Sequence, residues 1–391
     1  MNTNTNINFN EINILKTLGN GVFGTTYLSK YKNKLYAMKI QHILPNERIE
    51  NYKNALWREI DLYKFIDTLK PQEQQFFTKL YGYEIFNNCK HKQQRSLKIN
   101  FNDEKNKFSQ YIKKLDESPY CVKLLTEYKG ENTLKKYSIS TTPTAKQTYS
   151  IILQMCNIVL ILYDKGYSHN DFYSGNIMIG KTNNKTFNFL NNKIPFEGLC
   201  VSVIDYGEIM HKKFKTHNNK SQYKLFLNDR KKYLFNEIIS CVLSFILNFD
   251  KYEHDCKINK KKLPWEKKIN PTENIIKLII KKQSVFYDLA KNKYLKMFSD
   301  ATKLLSQIEN NIDDFTMDIL YKNNKSSISA SYFLAKVIDT FAILYPKLYV
   351  EYFGWCSYHK YSLPTQDMLD LLLLKNTDEL CKYCIDKINN M

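Results

Sequence analysis

From Ile12 to Ile40 the chain alternates short apolar runs with polar residues, broken by Gly and Asn: INILKTLGNGVFGTTYLSKYKNKLYAMKI. That spacing predicts strands joined as hairpins. The period changes over residues 46–69, NERIENYKNALWREIDLYKFIDTL, where Leu56, Ile60 and Tyr63 recur at helical intervals and predict a helix. FFTKLYGYEIF (76–86) and CVKLLTEY (121–128) predict two more strands. Between them, residues 87–118 are polar and basic and are expected to form an inserted, partly disordered loop. After Gly130 the pattern is helical except near 170–210. Strands first and helices later predict an α+β chain with a sheet-rich front lobe (12–129) and a helical back lobe with a C-terminal helical extension (130–391), after a loose polar tail (1–11). No internal repeat is evident.

The two longest apolar stretches, IILQMCNIVLILY and IISCVLSFILNF, fall short of the ~18–20 residues of a membrane span and predict buried helices. Of the 391 residues, 43% are hydrophobic and 14% aromatic, which excludes an intrinsically disordered chain. The net charge of +19 comes from lysines spread along the whole length beside abundant Asn and Ile. A coding bias explains that spread; an acidic partner such as nucleic acid, anionic lipid or an acidic substrate is the alternative. Nine scattered cysteines imply mostly free thiols in a reducing compartment. The N-terminus lacks the charged start and apolar stretch of a signal peptide, so an intracellular site, cytoplasmic or nuclear, is expected.

The candidate chemistry lies in five places. Gly19, Gly21 and Gly24 sit between two predicted strands, where missing Cβ atoms let backbone approach phosphates. A strand follows them instead of the helix that a dinucleotide fold needs, which points to a phosphate-covering hairpin. Lys39 lies in an otherwise apolar strand and requires a partner. Glu59, twenty residues on, borders the helix stripe that faces the sheet. In HNDFYSGN, Asp171 precedes Asn176 by five residues; the Asp suits a hydroxyl-proton acceptor and the Asn amide oxygen a metal. Asp205 ends the apolar run VSVID, well placed to hold Mg²⁺, which prefers oxygen.

Glycine loop, A-x-K, helix Glu, H-x-D-x-x-x-x-N and D-x-G stand here in the order of the eukaryotic-type protein kinases, and residues 12–250 resemble that family in a divergent form. The resemblance implies a bilobal kinase-like fold and ATP- and Mg²⁺-dependent phosphoryl transfer to Ser/Thr of a protein substrate. It implies that Leu18, Gly19, Asn20, Gly21, Val22, Phe23, Gly24 and Thr26 cover the nucleotide, and that Lys39 meets its phosphates and pairs with Glu59. Ala37, the gatekeeper-like Thr126 and the hinge-like Glu127 and Lys129 would border the adenine. Asp171 would be the base, and Asn176 and Asp205 the metal ligands.

The chain departs from that family at several positions. Asn170 replaces the usual Arg before the base, which implies independence from activation-loop phosphorylation. Tyr173 stands where Ser/Thr kinases carry a Lys near the γ-phosphate, and Tyr206 replaces a Phe. Gly175-Asn176 is more similar to haspin-type kinases and to aminoglycoside and choline phosphotransferases, and no A-P-E follows Gly207. A small-molecule acceptor therefore stays open, as does a catalytically weak pseudokinase or basic scaffold. The Lys/Asn-rich composition also resembles that of large DNA viruses and AT-rich protists. Asp229, at the start of a helix, is expected to anchor the catalytic loop from below. Near the end, Cys356, His359, Cys381 and Cys384 spell C-x2-H and C-x2-C, a zinc-like set whose helical spacing favours buried thiols.

Overall fold

The alternating front of the chain forms three antiparallel strands, β1 (Asn13–Asn20), β2 (Gly24–Tyr31) and β3 (Lys34–Ile43), in a computed structural model that describes residues 7–91, 107–215, 217, 220–247, 367, 371, 374 and 376–391. The two-residue turn between β2 and β3, Lys32-Asn33, has φ of 45° and 65°. That left-handed pair matches the twist of a tight hairpin. α1 (Ala55–Ile66) follows, then α2 (Pro71–Gln74), β4 (Leu80–Phe86), α3 (Lys107–Asp116) and β5 (Tyr120–Glu127). The five strands make one sheet in the order β1-β2-β3-β5-β4.

Side chains alternate across the sheet and build two cores. On one face Ile43, Val122 and Leu124 pack against Leu56, Trp57 and Ile60 of α1 and against Tyr83. On the other, Met38, Ile40, Cys121 and Leu125 are covered by Ile7, Phe9, Ile12, Tyr27 and Phe86. The segment expected to be a loose tail is therefore packed from Ile7 onward, because its apolar residues complete the second core. The basic insert is likewise more ordered than expected at its end. α3 buries Ile112 and Leu115, and the Tyr111 hydroxyl donates to Glu47 at 3.2 Å.

α4 (Leu134–Ser140) and α5 (Ala145–Asp164) come next. A capping box starts α5: the Thr144 hydroxyl accepts from the Gln147 N–H and the Gln147 side chain accepts from the Thr144 N–H. At 20 residues α5 is long and apolar enough to cross a membrane by length and composition, which corrects the shorter expectation. Two-thirds of it is buried, and mid-helix Gln154 bonds Leu199 O and Val201 N–H at 2.9 Å each. It is a core helix with a buried amide that stitches the next sheet to it.

Short strands follow: β6 (Tyr167–Ser168), β7 (Ile177–Lys181), β8 (Thr186–Phe189), β9 (Asn192–Pro195), β10 (Leu199–Val203) and β11 (Met210–His211). They pair β7 with β10, β6 with β11 and β8 with β9. α6 (Lys220–Asn228), α7 (Arg230–Leu247) and α8 (Thr377–Asn389) complete the described elements. α8 packs on α5, where the Tyr149 and Tyr383 rings meet edge-on at 6.3 Å. The elements β1 to α7 together with α8 belong to one compact unit. The class is α+β, an antiparallel five-stranded sheet with several helices.

Candidate active site

The glycine segment is the turn between β1 and β2, closed by the Gly21 N–H donating to Gly24 O at 2.8 Å. Its glycines serve different ends. A Cβ on Gly24 would lie 2.9 Å from Ile40 O and 3.0 Å from Gln41 Cβ, so Gly24 lets β2 and β3 pair closely. A Cβ on Gly19 would meet nothing within 4 Å. That position leaves the space above the sheet open.

Lys39 projects from β3 toward α1, and its Nζ lies 2.8 Å from Asp205 Oδ1 and 3.4 Å from Glu59 Oε2. Burial works against its charge, yet the Asp205 and Glu59 carboxylates outweigh it and raise the lysine pKa. Lys39 in turn holds Asp205 below the usual carboxylate range, while burial pushes Glu59 up. The Lys39 side chain is 19% exposed and its ammonium is paired with both carboxylates.

The stretch from Ser168 to Asn176 is held by a hydrogen-bond frame. His169 is buried; its Nε2 meets Ile204 O at 3.1 Å and its Nδ1 accepts from the Asp171 N–H at 3.3 Å. Burial lowers its pKa to about 4, so it stays neutral and works as a strut. Asn176 donates its Nδ2 to Asp171 Oδ2 at 2.8 Å and to Asp171 O at 3.0 Å. The β7–β10 register then fixes Asp205 beside Asn176, because Ile177 pairs with Val203 and the Ile204 N–H donates to Asn176 O. Asp205 itself adopts φ 60°, a left-handed conformation that Asp tolerates better than most residues.

The carboxylate beneath this loop is Glu237, not Asp229. Glu237 Oε2 accepts from Ser168 Oγ at 3.0 Å and Oε1 from the Asn170 N–H, while Asp229 is exposed just before α7. One lone acid in the apolar run LFNEIISC was the available signal. Asn170 turns back at φ 61°, and its side chain accepts from the Tyr233 hydroxyl. The Tyr206 hydroxyl donates to Val203 O at 2.8 Å and accepts from the Thr78 N–H at 3.1 Å. The hydroxyl thus adds a buried clamp that the D-x-G spacing alone does not show. Arg58, next to Glu59, is fully buried and donates Nη1 to the carbonyls of Tyr52 and Lys53 at 3.0 Å. In the basic segment after Gly207, Lys213 is paired with Asp61 on α1 at 2.6 Å.

Every predicted site residue lines one cavity of about 700 Å³: Leu18, Gly19, Asn20, Gly21, Val22, Phe23, Gly24, Thr26, Ala37, Lys39, Glu59, Thr126, Glu127, Lys129, Asp171, Asn176 and Asp205. At one side, the Thr126 hydroxyl donates to Ala37 O at 3.2 Å and Lys129 pairs with Glu127 at 2.9 Å. At the other, burial and then Asp205 push Asp171 up to about 7. Two carboxylates and an amide face the same space; with the Asn176 Nδ2 engaged by Asp171, its oxygen is left as a donor. An all-oxygen set carrying crowded negative charge fits a hard divalent cation such as Mg²⁺. Tyr173 stands half-exposed at the rim, its ring so close over Gly175 that a Cβ there would lie 2.3 Å from Cε2.

Cys356 and His359 lie outside the described residues. Cys381 and Cys384 are buried free thiols on α8, and Cys381 shares a side-chain hydrogen bond with Cys156 of α5. No family model matches the chain, and no curated protein matches it.

Proposed function

We propose that the chain is a phosphotransferase of kinase-like, bilobal fold that moves the γ-phosphoryl group of ATP to a Ser/Thr hydroxyl of a protein. The observation that carries this reading is the convergence, in one cavity under an open glycine turn, of a doubly paired Lys39 and an Asp171–Asn176–Asp205 oxygen cluster. The glycine turn and Lys39 bind the phosphates, and Glu59 holds Lys39 in place. Thr126, Glu127 and Lys129 border the base. Asp171 accepts the acceptor hydroxyl's proton as the new P–O bond forms and the bond to the ADP oxygen breaks. Asn176 and Asp205 would hold Mg²⁺, which supplies charge neutralisation of the phosphates when bound. Tyr173 is kept a neutral phenol, since burial and then Asp171 and Asp205 raise its pKa, so it offers a hydrogen bond where a Lys would offer charge.

A small-molecule acceptor is the second reading, supported by Gly175-Asn176 and by the absence of A-P-E after Gly207. Transfer of labelled γ-phosphate from Mg·ATP separates the readings, using the purified chain beside its Asp171→Asn variant, with casein, histones or no added protein. Label on protein that disappears in the variant supports the protein-kinase reading. ATP consumption without labelled protein supports the small-molecule one. Mg²⁺-dependent ATP binding without turnover leaves a nucleotide-binding scaffold.

A further inference from the structure

On the sheet face opposite α1, potential ligands of a different chemistry lie near one another. His42 on β3 and Cys121 on β5 are direct cross-strand partners, which places their side chains side by side. Cys89, just past β4, is brought over them by its N–H donating to Pro119 O at 2.9 Å. The three potential ligand atoms of His42, Cys89 and Cys121 lie within 4.8 Å of one another. Cys89 and Cys121 are joined as a disulfide, their Cα atoms 5.6 Å apart. That separation also suits two thiolates sharing one ion, since Zn–S bonds of about 2.3 Å put tetrahedral sulfurs roughly 3.8 Å apart.

Two further observations point to a ligand. His42 Nδ1 lies 3.2 Å from Ser118 O and Nε2 lies 2.8 Å from His91 O. A neutral imidazole carries one N–H and satisfies only one of these carbonyls. If Nδ1–H serves Ser118, the Nε2 lone pair faces Cys89 Sγ, 4.0 Å away, which is the second-shell arrangement that orients a metal-bound histidine. His91, two residues beyond Cys89, has a buried Nε2 with no hydrogen-bond partner, and its ring centroid is 6.2 Å from that of His42. Turning the His91 imidazole in, in place of its carbonyl, supplies a fourth donor.

We propose that Cys89, Cys121, His42 and His91 form a Cys2His2 zinc site in the reduced protein, which staples the start of the 87–118 insert to the sheet. Two electrons and two protons from a dithiol reductant convert the disulfide to two thiols; Zn²⁺ then displaces the two thiol protons and binds the thiolates. The soft sulfur and imidazole donors select zinc over Mg²⁺, so this site and the oxygen cluster take different ions.

The test uses the full chain, reduced with dithiothreitol, freed of metal and titrated with zinc or cobalt(II). About one tightly bound zinc per chain is expected, with the thiolate charge-transfer band of tetrahedral cobalt. Cys89→Ser and His42→Ala should weaken binding at least tenfold, and Cys356→Ser should leave it unchanged. A measurement that needs no variant is alkylation followed by peptide mapping: Cys89 and Cys121 should be protected with zinc and labelled after chelation. No zinc uptake by the reduced chain, equal uptake by Cys89→Ser, or a Cys89–Cys121 bond that resists reduction of the folded protein overturns the proposal. Phosphotransfer activity does not enter the result, so it stands or falls apart from the proposed function.

Discussion

Asp171 is the acid of the candidate site that sets its expected pH dependence. Its carboxyl is pushed up to about 7 because burial and the neighbouring Asp205 both disfavour a second negative charge. A base must be deprotonated to accept a proton, so the rate of phosphoryl transfer at limiting nucleotide is expected to rise with pH through about 7 in the free enzyme. Divalent cation bound at Asp205 and Asn176 should draw that limb lower, which a pH–rate profile at two Mg²⁺ concentrations checks. Asp171→Asn should lower kcat by about 10²–10⁴-fold with little change in nucleotide affinity; full activity in that variant would remove Asp171 from the role. Lys39 and Glu59 were legible in the sequence as a spacing, since a lone Lys in an apolar strand demands a partner. The second contact of Lys39, to Asp205, was not legible, because 166 residues separate the pair and only the fold closes that distance.

At the scale of elements, two glycines of one turn separate architecture from ligand access. Gly24→Ala forces a Cβ against the Ile40 carbonyl and should cost about 1–3 kcal/mol, read as a lower Tm. Gly19→Ala meets open space, so Tm should hold while any change appears in nucleotide affinity. The loop from Ser168 to Asn176 is suspended from α7 by Glu237. Glu237→Ala leaves the Ser168 hydroxyl and the Asn170 N–H without their acceptor and should cost about 1–3 kcal/mol in urea denaturation. Burial pushes Glu237 up to about 7, so the folded state binds its proton more tightly than the unfolded chain does. The stability this group contributes is therefore fully present below the ordinary carboxylate range near 4 and is lost as pH rises through about 7. Glu237→Gln should flatten that part of the pH–Tm curve. Helix α7 itself was readable from periodicity, but whether its one acid, Glu237, turns toward the loop depends on rotation about the helix axis relative to β6, a tertiary quantity.

For the whole molecule, the end of the chain returns to its middle. α8 lays Leu380, Cys381 and Cys384 against α5, and Leu380 is fully buried. Leu380→Ala should cost about 2–5 kcal/mol by chemical denaturation, although the residue lies more than 200 positions from α5; a change under about 0.5 kcal/mol would mean that α8 is not part of this core. The same packing explains why α5 passes the length and hydropathy test for a membrane span. A helix covered on several sides by protein needs apolar residues all round, just as one covered by lipid does.

Local physics was enough for the sequence to determine the five-stranded front, helix α1, the order of the glycine turn, Lys39, Glu59, Asp171, Asn176 and Asp205, and hence the candidate chemistry. Period-2 and period-3.6 patterns and backbone freedom at glycine act over a few residues and are readable in order. The tertiary structure alone decided that Glu237 holds the loop and that the Tyr206 hydroxyl ties Val203 to Thr78. It alone showed that the N-terminal segment seals a sheet face, and that His42, Cys89 and Cys121, 32 to 79 residues apart in sequence, come together. Those relations depend on strand register, helix rotation and burial, which place side chains together only after distant segments have packed.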